Sequence, residues 1–379
     1  MVQSLRRVAV GAQLLHGQGG YRSAGIHTYI QQTLHHLPQA DPALDVTVFT
    51  RHAPADWPSA IQARSTRWPT ERPLIRILWE QLVLPRATRQ IHADILHATA
   101  FVAPVLHPCP TVVTIYDLSF ALFPQYFRGF NQAYLRAGTR WSAQHATRLI
   151  AISDHTRRDI QRLYDVPLER IDVAYPGVDE SLRPIDPAAL DRFRREKNLP
   201  DKFLLFLGTL EPRKNLVMLI NAFAQFKRAC PDGQLVLAGG VGWLADEVFA
   251  AIEASGVKDS FMLPGFVKTE EKALWLGSAT AFVYPSIYEG FGLPPLEAMA
   301  CGTPVIVSDA ASLPEVVGDA GISIGPRDPI EWAQALQRVW NDQPYRAELR
   351  ERGLRQSKKF TWLEAARQIA ATYQRARAA

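Results

Sequence analysis

Short runs of consecutive apolar residues, each followed by a stretch with helical spacing, recur along this chain and restrict its fold more than any other feature. In the first half they are "RVAVGAQLL" (7–15), "DVTVFT" (45–50), "DILHA" (94–98), "TVVTIYD" (111–117), "RLIAIS" (148–153) and "RIDVAYPG" (170–177). Strands apolar on successive positions suit a parallel sheet covered on both faces, so the pattern predicts an α/β architecture. The alternation restarts with "KFLLFLGT" (202–209), "QLVLAGG" (234–240), "TAFVYPS" (280–286) and "PVIVSD" (304–309). Between the first two of these, Leu216, Leu219, Phe223 and Phe226 form the apolar stripe of an amphipathic helix. Two further helices are expected near the end, over about 344–359 and 361–376, the second capped by Thr361.

A chain of 379 residues exceeds the roughly 250–300 at which single cores stop growing, so two domains are expected. Three prolines and several acids in "PGVDESLRPIDPAALDRF" place the connection near residue 180. The expected division is a first domain over 1–182 and a second over 183–379, with the last helix a candidate to cross back to the first.

With 47% hydrophobic and 21% charged residues there is ample material for packed cores, and no repetitive tract suggests disorder. The net charge of +5 is concentrated in the first half, where residues 1–180 carry 18 Arg and no Lys against 14 Asp and Glu. That excess is too small and dispersed to favour nucleic acid, but it suits a phosphorylated substrate, a nucleotide or anionic lipid. Three well-separated cysteines (Cys109, Cys230, Cys301) without a CxxC pair argue against a zinc site or a disulfide framework and for a reducing compartment. The opening residues read as a leading strand rather than a signal peptide, and no stretch approaches the roughly 18 apolar residues of a membrane span. A cytoplasmic location is therefore expected.

The chemistry concentrates in "YPSIYEGFGLPPLEAMACGTPVIVSD" (284–309). A strand ending near Ser286 leads into a Gly/Pro-rich loop and a short helix over about 294–301, with Pro294 and Pro295 at its start and Gly302 at its stop. Ligands of open α/β sheets bind outside the carboxyl ends of strands, where this loop lies. Gly290 and Gly292 let a ligand approach the backbone, and the first-turn amides face an anion such as a diphosphate. Glu289 before the turn and Glu297 in the first helical turn supply acceptors for sugar hydroxyls. Glu297 alone is equally explained by the helix macrodipole, whereas a turn needs no carboxylate at Glu289. At the same sheet edge "LGTLEPRKN" (207–215) brings Arg213 and Lys214, cations suited to a diphosphate leaving group.

These segments, with "LVLAGG", "LPGFV" and "SLPEVVGDAG" in the second half and "AGIHTYI", "DILHA", "VVTIYDLSF" and "AYPGVD" in the first, resemble the retaining glycosyltransferases of family 4 (glycosyl transferases group 1), in particular their mannosyltransferase-like members. The resemblance implies the GT-B fold, two Rossmann-like domains facing across a cleft, the second holding a nucleotide-sugar donor and the first the acceptor. It implies metal-independent transfer with retention of configuration and no cofactor. Glu289, Lys214 and Arg213 are then the catalytic candidates, Glu289 on the donor sugar and the cations on the diphosphate. Glu297 is assigned to the ribose, the backbone of Gly290, Phe291, Gly292 and Leu293 to the phosphate loop, and Gly208 and Gly25 to close approaches near the phosphates. Two departures stand out: Tyr116-Asp117 replaces a common His-Asp pair, and Thr209 stands where many members have arginine.

The donor expected first is GDP-mannose and the acceptor a glycan or a lipid-linked oligosaccharide, as in polysaccharide assembly. Tyr116, Asp117 and His97 are the acceptor-side candidates, and His97 is equally suited to a local hydrogen bond. "FPQYFRGFNQAYLRAGTRW" (123–141), with Arg128, Arg136 and Arg140 among aromatics, is a candidate peripheral contact of the first domain with the inner face of a membrane, or else a helix with a solvated basic face. A nucleotide-sugar epimerase or a non-catalytic sugar-binding relative keeps the same fold. A dinucleotide oxidoreductase does not fit, because Gly17, Gly19 and Gly20 miss the GxGxxG spacing and Gly25 comes late.

Overall fold

Runs of apolar residues with no polar alternation leave no face of a strand for water, and both sheets of this protein are accordingly parallel, with their central strands internal. The computed structural model describes residues 6–15, 24–54, 57–126 and 130–379. It contains two units, one formed by Met1–Gly177 with Thr361–Ala379 and the other by Val178–Phe360. The terminal segment 361–379 thus belongs to the first unit.

The first unit carries seven strands: β1 (Arg6–Gly11), β2 (Leu44–Thr50), β3 (Ile61–Ser65), β4 (Ile95–Ala98), β5 (Thr111–Ile115), β6 (Arg148–Ala151) and β7 (Ile171–Val173). They lie in the order β3-β2-β1-β4-β5-β6-β7. Every pair is parallel, with Val8 between Val46 and Ile95. Val8, Val10, Val112, Val113 and Ile150 are fully buried. Helix Ala24–Ala40 packs along the terminal helix Trp362–Ala378, where the rings of Tyr29 and Trp362 meet edge to face at 5.9 Å. Thr361 caps that terminal helix through the amide of Glu364.

The second unit carries six strands: β8 (Leu204–Leu207), β9 (Leu235–Ala238), β10 (Phe261–Gly265), β11 (Ala281–Tyr284), β12 (Val305–Ser308) and β13 (Ile322–Ile324). Their order is β10-β9-β8-β11-β12-β13, again all parallel. Helix Leu216–Ala229 buries Leu216, Leu219, Phe223 and Phe226. Phe226 meets Trp340 of helix Pro329–Asn341 at 5.6 Å. In each sheet the strand order runs outward in one direction and then restarts in the other, which is the doubly wound arrangement. The restart falls between β1 and β4 in the first sheet and between β8 and β11 in the second. Adjacent connections part there, and a crevice opens at the carboxyl ends of the strands.

Candidate functional site

The loops leaving β8 and β11 at this second restart carry the expected cations and the first expected carboxylate. After β8 the chain makes a short 3-10 turn at Pro212–Lys214, and Asn215 adopts a left-handed conformation (φ 57°) before the helix begins at Leu216. Asparagine tolerates that conformation better than most residues. Its side-chain amide also donates to the carbonyls of Pro285 (3.2 Å) and Pro326 (2.6 Å), which ties this loop to its neighbour. Arg213 and Lys214 therefore lie in a separate turn that precedes the helix.

After β11 the strand ends at Tyr284, two residues earlier than expected, and the next residues fasten onto the β8 loop. Ile287 N donates to Arg213 O at 3.0 Å, Ser286 Oγ lies 3.1 Å from the same carbonyl, and Arg213 Nη1 donates to Tyr288 O at 2.8 Å. Two loops 70 residues apart in sequence are thus zipped together, which brings Lys214 Nζ to 2.6 Å from Glu289 Oε1 and 2.7 Å from the hydroxyl of Tyr284. Arg213 spans two carboxylates, Glu211 at 2.8 Å and Glu289 at 3.3 Å. Ser286 Oγ also donates to Glu289 Oε1.

Glu211, Lys214 and Glu289 are all buried, so this network lies mostly out of water. Burial pushes the Glu289 carboxyl up, but the Lys214 and Arg213 cations outweigh it and hold it down at about 2. Burial likewise raises the Tyr284 phenol, and it remains a neutral hydroxyl.

The glycines beyond Glu289 lie in the turn that leads into the next helix. Gly292 has φ 116° and precedes helix Leu293–Ala300, with Pro294 and Pro295 in its opening turn. The Ser312 hydroxyl lies 2.9 Å from Glu289 O and 2.6 Å from Phe291 O and pins the loop from below. The Phe291 side chain is buried against Phe360 (5.5 Å), leaving its backbone to line the turn. Gly208 lies under a second close approach, because a Cβ on Gly239 (φ 148°) would stand 1.9 Å from Gly208 O. Glu297 is the fifth residue of its helix, beyond the first turn where it was expected, and is buried on an ion pair with Lys272 at 2.7 Å.

Two of the acceptor-side candidates, His97 and Tyr116, require correction. His97 is buried with both ring nitrogens engaged, Nδ1 with Tyr373 OH and Nε2 with Thr114 Oγ1, each at 2.8 Å. Burial drives its pKa down to about 3, so the ring is a neutral core group. Tyr116 is also core: its hydroxyl donates to Thr99 O at 2.6 Å, and its ring lies between Tyr29 and Phe101. The Asp117 carboxylate accepts from the amide (2.9 Å) and hydroxyl (2.6 Å) of Ser119, which folds the following turn. Gly25 is exposed in the opening turn of helix Ala24–Ala40, with open space where a Cβ would point. Gly17, Gly19, Gly20 and Arg128 lie outside the described residues.

Among the described residues no group of three or more His, Cys, Asp or Glu side chains is arranged to hold a metal ion. Sequence reasoning missed Tyr284, Ser286, Ser312, Glu211 and Lys272. Glu211 sits inside a motif already singled out and had a signal. Lys272, 25 residues before its partner, had none.

A doubly wound parallel sheet with a cation–carboxylate cluster at its switch point, accompanied by a second sheet of the same winding, defines the GT-B class of glycosyltransferases. The family model described as Glycosyl transferases group 1 matches residues 188–356, and that of Glycosyltransferase Family 4 matches 23–182. The chain is 30% identical over 407 residues to a D-inositol 3-phosphate glycosyltransferase of Salinispora arenicola, covering 94% of this chain and 89% of that protein. It is 34% identical to the O-antigen chain mannosyltransferase B of Escherichia coli over 66% of each. Against the serotype-specific mannosyltransferase WbdA of the same organism it spans only 32% of the relative's length. Among solved structures, Anabaena HepE in complex with UDP and glucose superimposes with a TM-score of 0.75 at 20% identity, over 97% of this chain and 99% of that one. The chain belongs to glycosyltransferase family 4.

Proposed function

We propose that the protein is a hexosyltransferase that moves a sugar, mannose first, from a nucleoside diphosphate sugar to a hydroxyl of a glycan or lipid-linked acceptor. Configuration at the anomeric carbon is retained, and neither metal nor cofactor takes part. One observation supports this above the rest: two cations meet a buried carboxylate at the switch point of the second sheet.

In the reaction the bond from the anomeric carbon to the diphosphate oxygen breaks and a bond to the acceptor oxygen forms. The acceptor proton leaves with the diphosphate. Negative charge grows on the departing diphosphate, and Arg213, Lys214 and the amides opening helix Leu293–Ala300 stabilise it more in the transition state than before it. Without donor, the charges of Arg213 and Lys214 are balanced by Glu211 and Glu289. A diphosphate competes for Lys214 and draws it from Glu289 Oε1, which frees that oxygen to accept from a sugar hydroxyl. Donor charge and sugar recognition are coupled through one side chain in this way. Glu297, held by Lys272, serves the ribose. Three free cysteines accord with a reducing, cytoplasmic setting.

The mannosyltransferase relatives favour a mannosyl donor, and GDP-mannose is tested first. The D-inositol 3-phosphate glycosyltransferases favour testing an inositol phosphate acceptor alongside a glycan. The decisive experiment is a panel of nucleotide sugars scored for binding and slow donor hydrolysis, which needs no acceptor. Saturable binding of one nucleoside diphosphate hexose, weakened by Lys214→Ala, is expected. Absence of binding across the panel overturns the reading, and isomerised donor without transfer replaces it with an epimerase.

A further inference from the structure

A helix on the surface of a folded unit ordinarily turns polar residues outward. The segment 73–90 of the first unit does not. It runs as a helix at Pro73–Leu78, a π-helical turn at Trp79–Val83 and a helix at Leu84–Gln90. Its inner face is apolar as expected, with Trp79 and Leu84 buried in a cluster with Ala9, Phe49 and Leu96. Its outer face carries Leu74, Leu78 and Leu82, each between 49% and 60% exposed. These leucines follow each other at intervals of four. In a regular α-helix such a row drifts by about 40° per step, but a π turn takes more residues per turn and partly undoes the drift. The π segment therefore helps to keep the leucines in one line.

A loop extends the patch. Gln81 accepts from Val105 N at 2.9 Å and donates to Ala103 O at 3.2 Å, which fixes the loop beside the helix. That loop presents Val105 and Leu106, exposed at 60% and 67%. Contiguous exposed apolar side chains of this kind mark an interaction site.

Charge identifies the occupant. Arg72 stands at one end of the leucine row and Arg86 and Arg89 at the other, all exposed, with exposed Arg67 and Trp68 on the approach. The nearby acids are engaged: Glu71 with Arg51 (2.6 Å) and His52 (3.1 Å), and Glu80 with Arg76 (3.8 Å). Leucines rimmed by arginines, with a tryptophan at the margin, match the apolar interior and anionic headgroups of a bilayer surface. Of the segment 123–141, the interfacial candidate from sequence, residues 127–129 lie outside the described residues, and the helix Phe130–His145 has no large exposed apolar side chain among its described residues. No helix among the described residues is long and apolar enough to cross a membrane.

We propose that the helical segment 73–90 and the loop at 105–106 form a surface that docks on an anionic lipid bilayer, Leu74, Leu78, Leu82, Val105 and Leu106 entering the interface and Arg72, Arg86 and Arg89 contacting headgroups. The proposal stands on this surface and not on the donor site.

The test is sedimentation of the full chain with vesicles of phosphatidylcholine alone or mixed with phosphatidylglycerol, at low and high salt. Salt-sensitive binding to the mixed vesicles and little to the neutral ones is expected. The double variant Leu78→Glu/Leu82→Glu should bind at least tenfold more weakly, and Arg86→Ala/Arg89→Ala should lose the preference for anionic lipid. Both keep wild-type circular dichroism and nucleotide-sugar binding, since the altered side chains face solvent. No binding by wild type, equal binding to neutral vesicles, or unchanged binding by the leucine variant overturns the proposal. So does a wild type that self-associates in gel filtration and a leucine variant that is monomeric without altered vesicle binding, because the surface then serves a second copy of the chain.

Discussion

Lys214 has two partners in this structure and, in the proposed reaction, a third that replaces one of them, so its removal separates stability from turnover. Lys214→Ala takes from the buried Glu289 carboxylate its shorter ion pair and leaves Arg213 and Ser286 beside it. Breaking a buried pair costs roughly 3–5 kcal/mol, and the low end is expected because Arg213 still faces Glu289. Loss of a fixed cation from the leaving group should lower kcat by about 10²–10³. Thermal unfolding and donor turnover, measured on the same preparation, check both. The pH dependence has a defined sign. The folded pKa of Glu289 lies at about 2, below its ordinary 4.5, so its contribution to stability is present above 4.5 and lost as pH falls through 2. In Lys214→Ala the carboxyl rises, and acid unfolding followed by circular dichroism should begin at higher pH than in wild type. At this scale Glu289 and Lys214 were legible, because a carboxylate in a glycine turn and cations after a strand have no ready structural use. His97 and Tyr116 misled because a polar residue at a strand end looks alike whether it faces a ligand or a buried hydroxyl, and only the packing of Tyr373 and Thr99 tells them apart.

The elements hold these residues by backbone approaches that admit no side chain. Gly239 and Gly292 both have positive φ, yet they differ in what a Cβ would strike. On Gly239 it meets a carbonyl oxygen at 1.9 Å, on Gly292 the end of the Leu313 side chain at 2.7 Å. A side chain can turn aside and a backbone carbonyl cannot, so Gly239→Ala should be the more damaging. Backbone strain of this kind costs about 1–3 kcal/mol, with Gly292→Ala toward the lower value and Gly239→Ala at or above the upper. For a unit of this size each kcal/mol is worth about 2–4 °C, and calorimetry on the two variants ranks them. An equal fall in Tm would show that the β8–β9 approach is softer than its geometry. The central strands were legible because they are continuous apolar runs. β3, β10 and β13 were not, since Gln62 and Arg64 in β3 and Leu263 and Pro264 in β10 are exposed at sheet edges, where apolar continuity is not required. The helix from Leu293 to Ala300 was legible from its prolines and Gly302, but its start lay one residue earlier, which moved Glu297 out of the first turn.

Across the whole molecule the chain leaves the first unit at Gly177 and re-enters it at Thr361, and both passages are fastened locally. Val178 N donates to Phe360 O at 3.2 Å within the second unit. Within the first, Gly177 lies so close to the returning chain that a Cβ on it would stand 2.1 Å from Trp362 N. The terminal helix that follows completes the first core, burying Trp362, Ala366, Ile369 and Tyr373, the last joined to His97. An amphipathic pattern at 361–376 says that one face is buried and not against which sheet, so the return to the first unit was open in the sequence. Gly177→Ala tests the passage directly. The obstructing atoms are backbone, and relief requires moving the cap at Thr361 or the strand that ends before Gly177. A loss of about 1–3 kcal/mol is expected, and because Trp362 and Tyr373 pack in the first unit, it should fall on that unit's transition. Hydrogen exchange resolves the two units: faster exchange in β4, β5 and helix 362–378, with β8 and β11 unchanged, is the expected pattern, and uniform acceleration would mean that the passage at Gly177 supports both.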